Sequence, residues 1–115
     1  MVAAHIELGR LGEDLAAAWY RQRGYAVVDR NWRAPIGELD LVLHKGRVVI
    51  FAEVKTRRSD SFGVPALAVG VAKQQRLRRL AAMWLADRRI RRRVDVRFDV
   101  VSITGDFVEV YQHAF

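Results

Sequence analysis

At 115 residues the chain has room for one domain, spanning residues 1–115, and for one hydrophobic core. Hydrophobic residues make up 51% of it in periodic patterns, which excludes a disordered chain, and the lack of cysteine excludes disulfides, thiolate zinc sites and cysteine nucleophiles. A formal charge of +7 points to a polyanionic partner, nucleic acid first; no run approaches the ~18 apolar residues of a membrane span, so a cytoplasmic protein without a membrane partner is expected.

Leu8, Leu11, Leu15, Ala18, Trp19 and Gln22 recur on one side of a 3.6-residue wheel, and Gly24 follows as a stop, so the first element is read as a helix. Glu13 falls at the margin of that stripe, close to Tyr20: a boundary carboxylate, or an ordinary half-exposed helix glutamate. Tyr25 to Trp32 reads as a strand, and Arg33 to Ile36 as a turn around Pro35.

Gly37 to Arg57, GELDLVLHKGRVVIFAEVKTR, reads as a hairpin turned at Lys45 and Gly46. Strand alternation puts Glu38 and Asp40 on one face of the first arm and Leu39, Leu41 and Leu43 on the other; Glu53, Lys55 and Arg57 share a face of the second. Charge clustered in so apolar a hairpin calls for a metal, an internal ion pair or a charged ligand. The alternative is an edge-strand pair that keeps the hairpin soluble. Only Lys45, Lys55 and Lys73 are lysine among twenty basic residues, so the lysine in Glu-x-Lys is notable in a chain that otherwise uses arginine.

The thirteen residues that follow Arg57 lack periodicity, a length that goes with a functional or mobile loop; Arg57 and Arg58 are expected near phosphates, against the alternative of a plain surface loop. Val71 to Arg89 reads as a second helix with the stripe Leu77, Leu80, Ala81 and Trp84, which Lys73 extends inward. A cation in a first helical turn opposes the helix dipole, so Lys73 asks for an anion, either a phosphate or the acidic cluster; snorkelling to water is the alternative. Arg88, Arg89, Arg91, Arg92 and Arg93 exceed what a helix C-terminus needs and are read as phosphate contacts. Val96 to Ile103 and Phe107 to Tyr111 complete the strands, and Asp99 is read as an ion-pair partner of Arg97, outside the site.

The order Asp40, twelve residues, then Glu53-Val54-Lys55 resembles the PD-(D/E)xK nuclease motif. GELDL and AEVK, together with Gly12-Glu13 on the first helix, are similar to the YraN-like family of nuclease-like single domains and to archaeal Holliday junction resolvases. Leu39 stands where the motif has proline, so Glu38 and Asp40 both remain candidates for the first acid. The resemblance implies a restriction endonuclease-like α/β fold with an αβββαβ core, a mixed sheet flanked by helices. It implies Mg²⁺ or Mn²⁺ on Asp40, Glu53 and Glu13, with Lys55 against the scissile phosphate or the attacking water. The expected activity is metal-dependent endonuclease cleavage, on DNA ahead of RNA and with branched DNA as a candidate, by a homodimer. The rival expectation is a non-catalytic nucleic-acid-binding module that keeps the fold; a third is an interaction domain whose charged cluster is an internal ion pair.

Overall fold

The computed structural model describes residues 2–57 and 69–115, with side chains from Gly9 onward. Its elements are α1 Val2–Gln22, β1 Ala26–Ala34, β2 Gly37–Lys45, β3 Val48–Arg57, α2 Val71–Asp87, β4 Asp95–Thr104 and β5 Phe107–Tyr111. The strands form one mixed sheet in the order β1-β2-β3-β4-β5, with β3 and β4 parallel and every other neighbouring pair antiparallel. A parallel step between β3 and β4 requires a crossover, which α2 supplies. This is the αβββαβ order expected of the sequence, extended by β5.

The helices lie on opposite faces. Leu77, Leu80, Ala81 and Trp84 of α2 pack with Leu39, Val42, Val49, Phe51, Phe98 and Val100. Ala16, Ala17 and Tyr20 of α1 pack with Leu41, Leu43, Ile50, Ala52, Val101 and Ile103. Along β3 and β4 the two sets alternate residue by residue, as a sheet covered on both sides demands.

The α1 stripe is not the one its large residues suggest. Leu11 is 61% exposed and Ala18 is exposed, while Gly12, Ala16, Ala17 and Tyr20 are buried. Small residues win because they let the helix backbone come close to the sheet: a Cβ at Gly12 would overlap the Thr56 hydroxyl. Leu11 on that face would hold the helix off. The helix then stops at Gly24, whose φ of 88° suits the left-handed residue of a helix end.

Tyr20 reaches under the sheet to a charged knot on β4. Its hydroxyl donates to Asp99 Oδ2 at 2.7 Å, and Arg97 donates to both carboxylate oxygens at 2.9 and 2.8 Å and to the Tyr25 hydroxyl at 3.2 Å. The His113 N–H donates to Asp99 Oδ1 at 3.3 Å. Asp99 is fully buried, and the Arg97 pairing is the one read from its spacing. Removing one half of a buried pair strands the other, so Arg97→Met should cost about 3–5 kcal/mol, and Tyr20→Phe, which removes one of several bonds, about 1 kcal/mol. Urea unfolding measures both; equal losses would mean the knot is not held chiefly by its charges.

Candidate active site

The hairpin opens where its acids lie. β2 and β3 pair from Lys45 and Val48 up to Leu41 and Ala52, and the register is not continued to Asp40 and Glu53. Beyond that point the Asp40 carboxylate does the work of a strand partner: its Oδ2 accepts the Val54 N–H at 2.8 Å. The pleat breaks at the same place, since Leu39 packs on the α2 side whereas Leu41 and Leu43 pack on the α1 side. Three leucines on one face, the sequence expectation, is corrected to one against two. The neighbouring strand yields too: β1 shifts register between Val27 and Asp29, and Asn31, opposite Asp40, takes a φ of 52°.

On the α2 side of this fork lies a pocket of about 240 Å³, lined by Gly37, Glu38, Asp40, Glu53, Lys73, Arg76, Leu77 and Leu80. Phe51 and Glu53 share the α2 side by alternation, and the same rule brings Lys55 and then Arg57 along that side of β3, both half-buried. Lys73, in the first turn of α2, pairs with Glu53 at 2.5 Å. The anion that its position requires is therefore the acidic cluster itself.

Asp40 carries the strain of the arrangement. Burial pushes its carboxyl up, the Glu53 charge pushes it further and Glu13 and Glu38 add to this, against the opposing Val54 N–H, so that it titrates at about 7. Glu38 is the more exposed acid and pairs with Arg33 at 3.3 Å, which singles out Asp40 as the buried partner of Glu53. Glu13 is near enough for Asp40 to feel its charge, yet its Oε1 is occupied, accepting from Asn31 Nδ2 at 2.8 Å and Arg30 Nη2 at 3.5 Å. Among the described residues no three His, Asp or Glu side chains come together as a metal-binding group. The acids thus form a pair, with Glu13 tied back beside it.

The other expected contacts lie apart from this pocket. Arg88, at the far end of α2, donates to Asp29 Oδ2 at 3.0 Å and to the Val28 carbonyl at 3.2 Å and lies over the Trp84 ring. Arg89, Arg91, Arg92 and Arg93 are exposed beyond it. Arg58 lies outside the described residues. Two contributors went unread in the sequence. Arg76 lines the pocket one turn after Lys73, a spacing of three on the same helix that was available as a signal. Asn31 holds Glu13 from a left-handed backbone that only its residue type hints at.

Comparison with known proteins places these residues in a wider set. Residues 12–103, which include every candidate side chain, match the model of Uncharacterised protein family UPF0102. A UPF0102 protein of Syntrophotalea carbinolica is 48% identical over 112 residues, covering 96% of this chain and 90% of the relative. One from Thermodesulfovibrio yellowstonii is 39% identical over 112 residues, with 97% and 98% covered. A third, from Beutenbergia cavernae, is 51% identical over 96 residues, with 84% and 80% covered.

The raised Asp40 pKa has a consequence for stability. A carboxyl that titrates at about 7 keeps its proton in the folded chain at pH values where the unfolded chain has lost it, so folding stability falls as pH rises from about 4 to about 7. Asp40→Asn removes that loss. In chelator the variant should be more stable than the parent above about pH 7, by on the order of 1–3 kcal/mol, and the difference should close towards about pH 4. Thermal denaturation across the range measures it, and a parent as stable as the variant at about pH 8 would contradict the strained carboxyl.

Proposed function

The chain belongs to Uncharacterised protein family UPF0102, the YraN-like family its motifs resemble, and on that footing we propose that it is a metal-dependent nuclease of the PD-(D/E)xK type that hydrolyses phosphodiester bonds. The observation that carries this reading is the meeting of Asp40 and Glu53 in one pocket at the β2–β3 fork, with Lys55 next on the same side of β3.

The donor set fits a small hard cation. Mg²⁺ or Mn²⁺ takes carboxylate oxygens, keeps several waters and accepts phosphate oxygens for the rest of its shell, so a pair of carboxylates is enough protein; Asp40 and Glu53 would hold it, with Glu13 beside them. Bound there, the cation would make a water more acidic and stabilise charge on the phosphate. The chain's own residues do the remaining work. Asp40, fixed by the Val54 N–H, and Glu53, on the rigid central strand, give the site a set geometry. Lys55 supplies a compact positive charge where negative charge develops on the phosphate. Arg76 gives the pocket wall a cation for a neighbouring phosphate. The substrate in this reading is DNA, and the resolvase resemblance extends it to branched DNA cut by a symmetric dimer.

A second reading has its own support. Lys73 already neutralises Glu53, and among the described residues the neighbouring acids Glu38 and Glu13 are turned to Arg33, Arg30 and Asn31, which favours a module that binds nucleic acid without cutting it. Cleavage of labelled branched, duplex and single-stranded DNA, and of RNA, with Mn²⁺ or with EDTA separates the two. Cutting is expected with Mn²⁺ only, and Glu53→Ala and Lys55→Ala should each reduce it by about 100-fold or more. Binding without cleavage under every metal condition would hand the site to the second reading, and neither binding nor cleavage would leave an internal ion pair.

A further inference from the structure

The chain's positive charge is concentrated in one segment. Residues 71–94 hold nine Lys and Arg against the single acid Asp87, a charge of +8 where the whole chain has +7, so everything else sums to −1. That segment is α2 and the strand-free stretch leading into β4, all on one side of the sheet. Within it, Lys73 and Arg88 are paired with Glu53 and Asp29, and Arg78 lies over the Phe98 and Phe115 rings. Outside it, Arg30, Arg33 and Arg97 are tied to acids, and Arg23 and Lys45 to carbonyls and rings. By contrast, among the described residues Arg76, Arg79, Arg91, Arg92 and Arg93 are exposed and have no acid within ion-pair distance. Leaving so many like charges together and unpaired costs stability through repulsion, a cost that a bound polyanion removes.

Two independent lengths fix how far this track runs. From Lys73, at the acid pair, to Asp87 is fourteen residues of helix, ~21 Å at 1.5 Å per residue. From Glu53 down β3 to Val48 is five residues of strand, ~17 Å at 3.3 Å per residue, and Arg47 is the turn residue just beyond. Arg47 meets Arg93 there: the two line a cavity of about 180 Å³ with Asp95, and the Asp95 N–H donates to the Arg47 carbonyl at 2.9 Å. The basic rim is therefore at the opposite end of the sheet from the acids, joined to them by the outer face of α2, where Ala82 and Ala86 form a low ridge and Arg76 and Arg79 stand exposed.

We propose that this face is a lengthwise track for duplex DNA, in which the backbone leaves the Asp40–Glu53 pocket, follows α2 past Arg76 and Arg79, and is gripped about six base pairs away by the Arg47 and Arg91–Arg93 rim. The track rests on the nucleic-acid reading above and adds to it a second grip, separate from the pocket. A stiff rod that spans ~20 Å without bending matches two grips on one straight helix.

The test is fluorescence anisotropy of a labelled duplex of about 20 base pairs, titrated in EDTA at several salt concentrations so that nothing is cut. Replacing Arg91, Arg92 and Arg93 together with Ala should lower the slope of log affinity against log salt by about three, and Arg76→Ala with Arg79→Ala by about two. Arg10→Ala with Arg21→Ala, on exposed positions of α1 across the sheet, should leave the slope unchanged. On a stem of about four base pairs the rim variant should bind as the parent does, because the second grip is out of reach. A parent that binds, with a rim variant of equal slope or an α1 variant that loses as much as the track variants, overturns the track and leaves the pocket reading standing. A parent that does not bind in EDTA overturns the track, and one that does not bind with Ca²⁺ in place of EDTA either overturns both.

Discussion

The site depends on a missing rung. At the open end of the hairpin the Asp40 carboxylate accepts the Val54 N–H, and the two strands separate around it. A regular antiparallel pair would bring the acids of adjacent strands together across a closed, filled ladder with no space between them. Because β2 peels away, space opens beside the central strand while the backbone donor exposed by the opening is still satisfied. One side chain thus preserves the sheet and makes the pocket. The accommodations in β1, its register shift and the left-handed Asn31, follow from letting the outer hairpin turn with the peeling strand.

Everything that meets at the fork is set by the two helices. α2 enters at the open end, because the parallel step from β3 to β4 obliges the chain to leave the top of β3 and return at the bottom of β4. Its first turn therefore sits against Glu53, and Lys73 there is held by a carboxylate against the unfavourable helix dipole. The opposite face is closed by α1, whose small residues bring its backbone against β3 at Thr56 and carry Glu13 alongside the opening. The topology thus puts a basic helix start and an acidic helix margin on either side of one break in the sheet.

Much of this was legible in sequence. The strand alternation and the Glu-x-Lys spacing located Asp40, Glu53, Lys55 and the crossover, because period-2 and period-3.6 patterns survive wherever elements are regular. Lys73 was legible as an anomaly, a cation inside an apolar stripe. The fork was not, since a broken pleat leaves the same letters as an intact one; the packing of Leu39 on the α2 side and Leu41 on the α1 side, with the end of the ladder at Leu41, reveals it. The buried face of α1 departs from its hydrophobic stripe for a related reason. Hydrophobicity ranks Leu11 above Gly12, whereas close approach to Thr56 ranks Gly12 first, and closeness is a property of the partner surface. Arg88 looks like the rest of its run in sequence, but its Asp29 partner lies on β1, 59 residues away.

Two acids among the described residues, Asp99 and Asp40, are set deep in the fold, and the difference between them separates architecture from chemistry. Asp99 accepts from Tyr20, from two nitrogens of Arg97 and from the His113 N–H, so its oxygens are fully engaged and its role ends with the knot. Asp40 has one backbone N–H for a partner and a second acid, Glu53, for a neighbour; burial first and the Glu53 charge second drive its carboxyl up to about 7, against the pull of that N–H. A buried carboxylate with few donors and a like-charged neighbour is costly to keep, and it persists where something outside the fold completes it. The under-coordinated acid, more than the presence of acid, is what sets the fork apart from the knot as the candidate site.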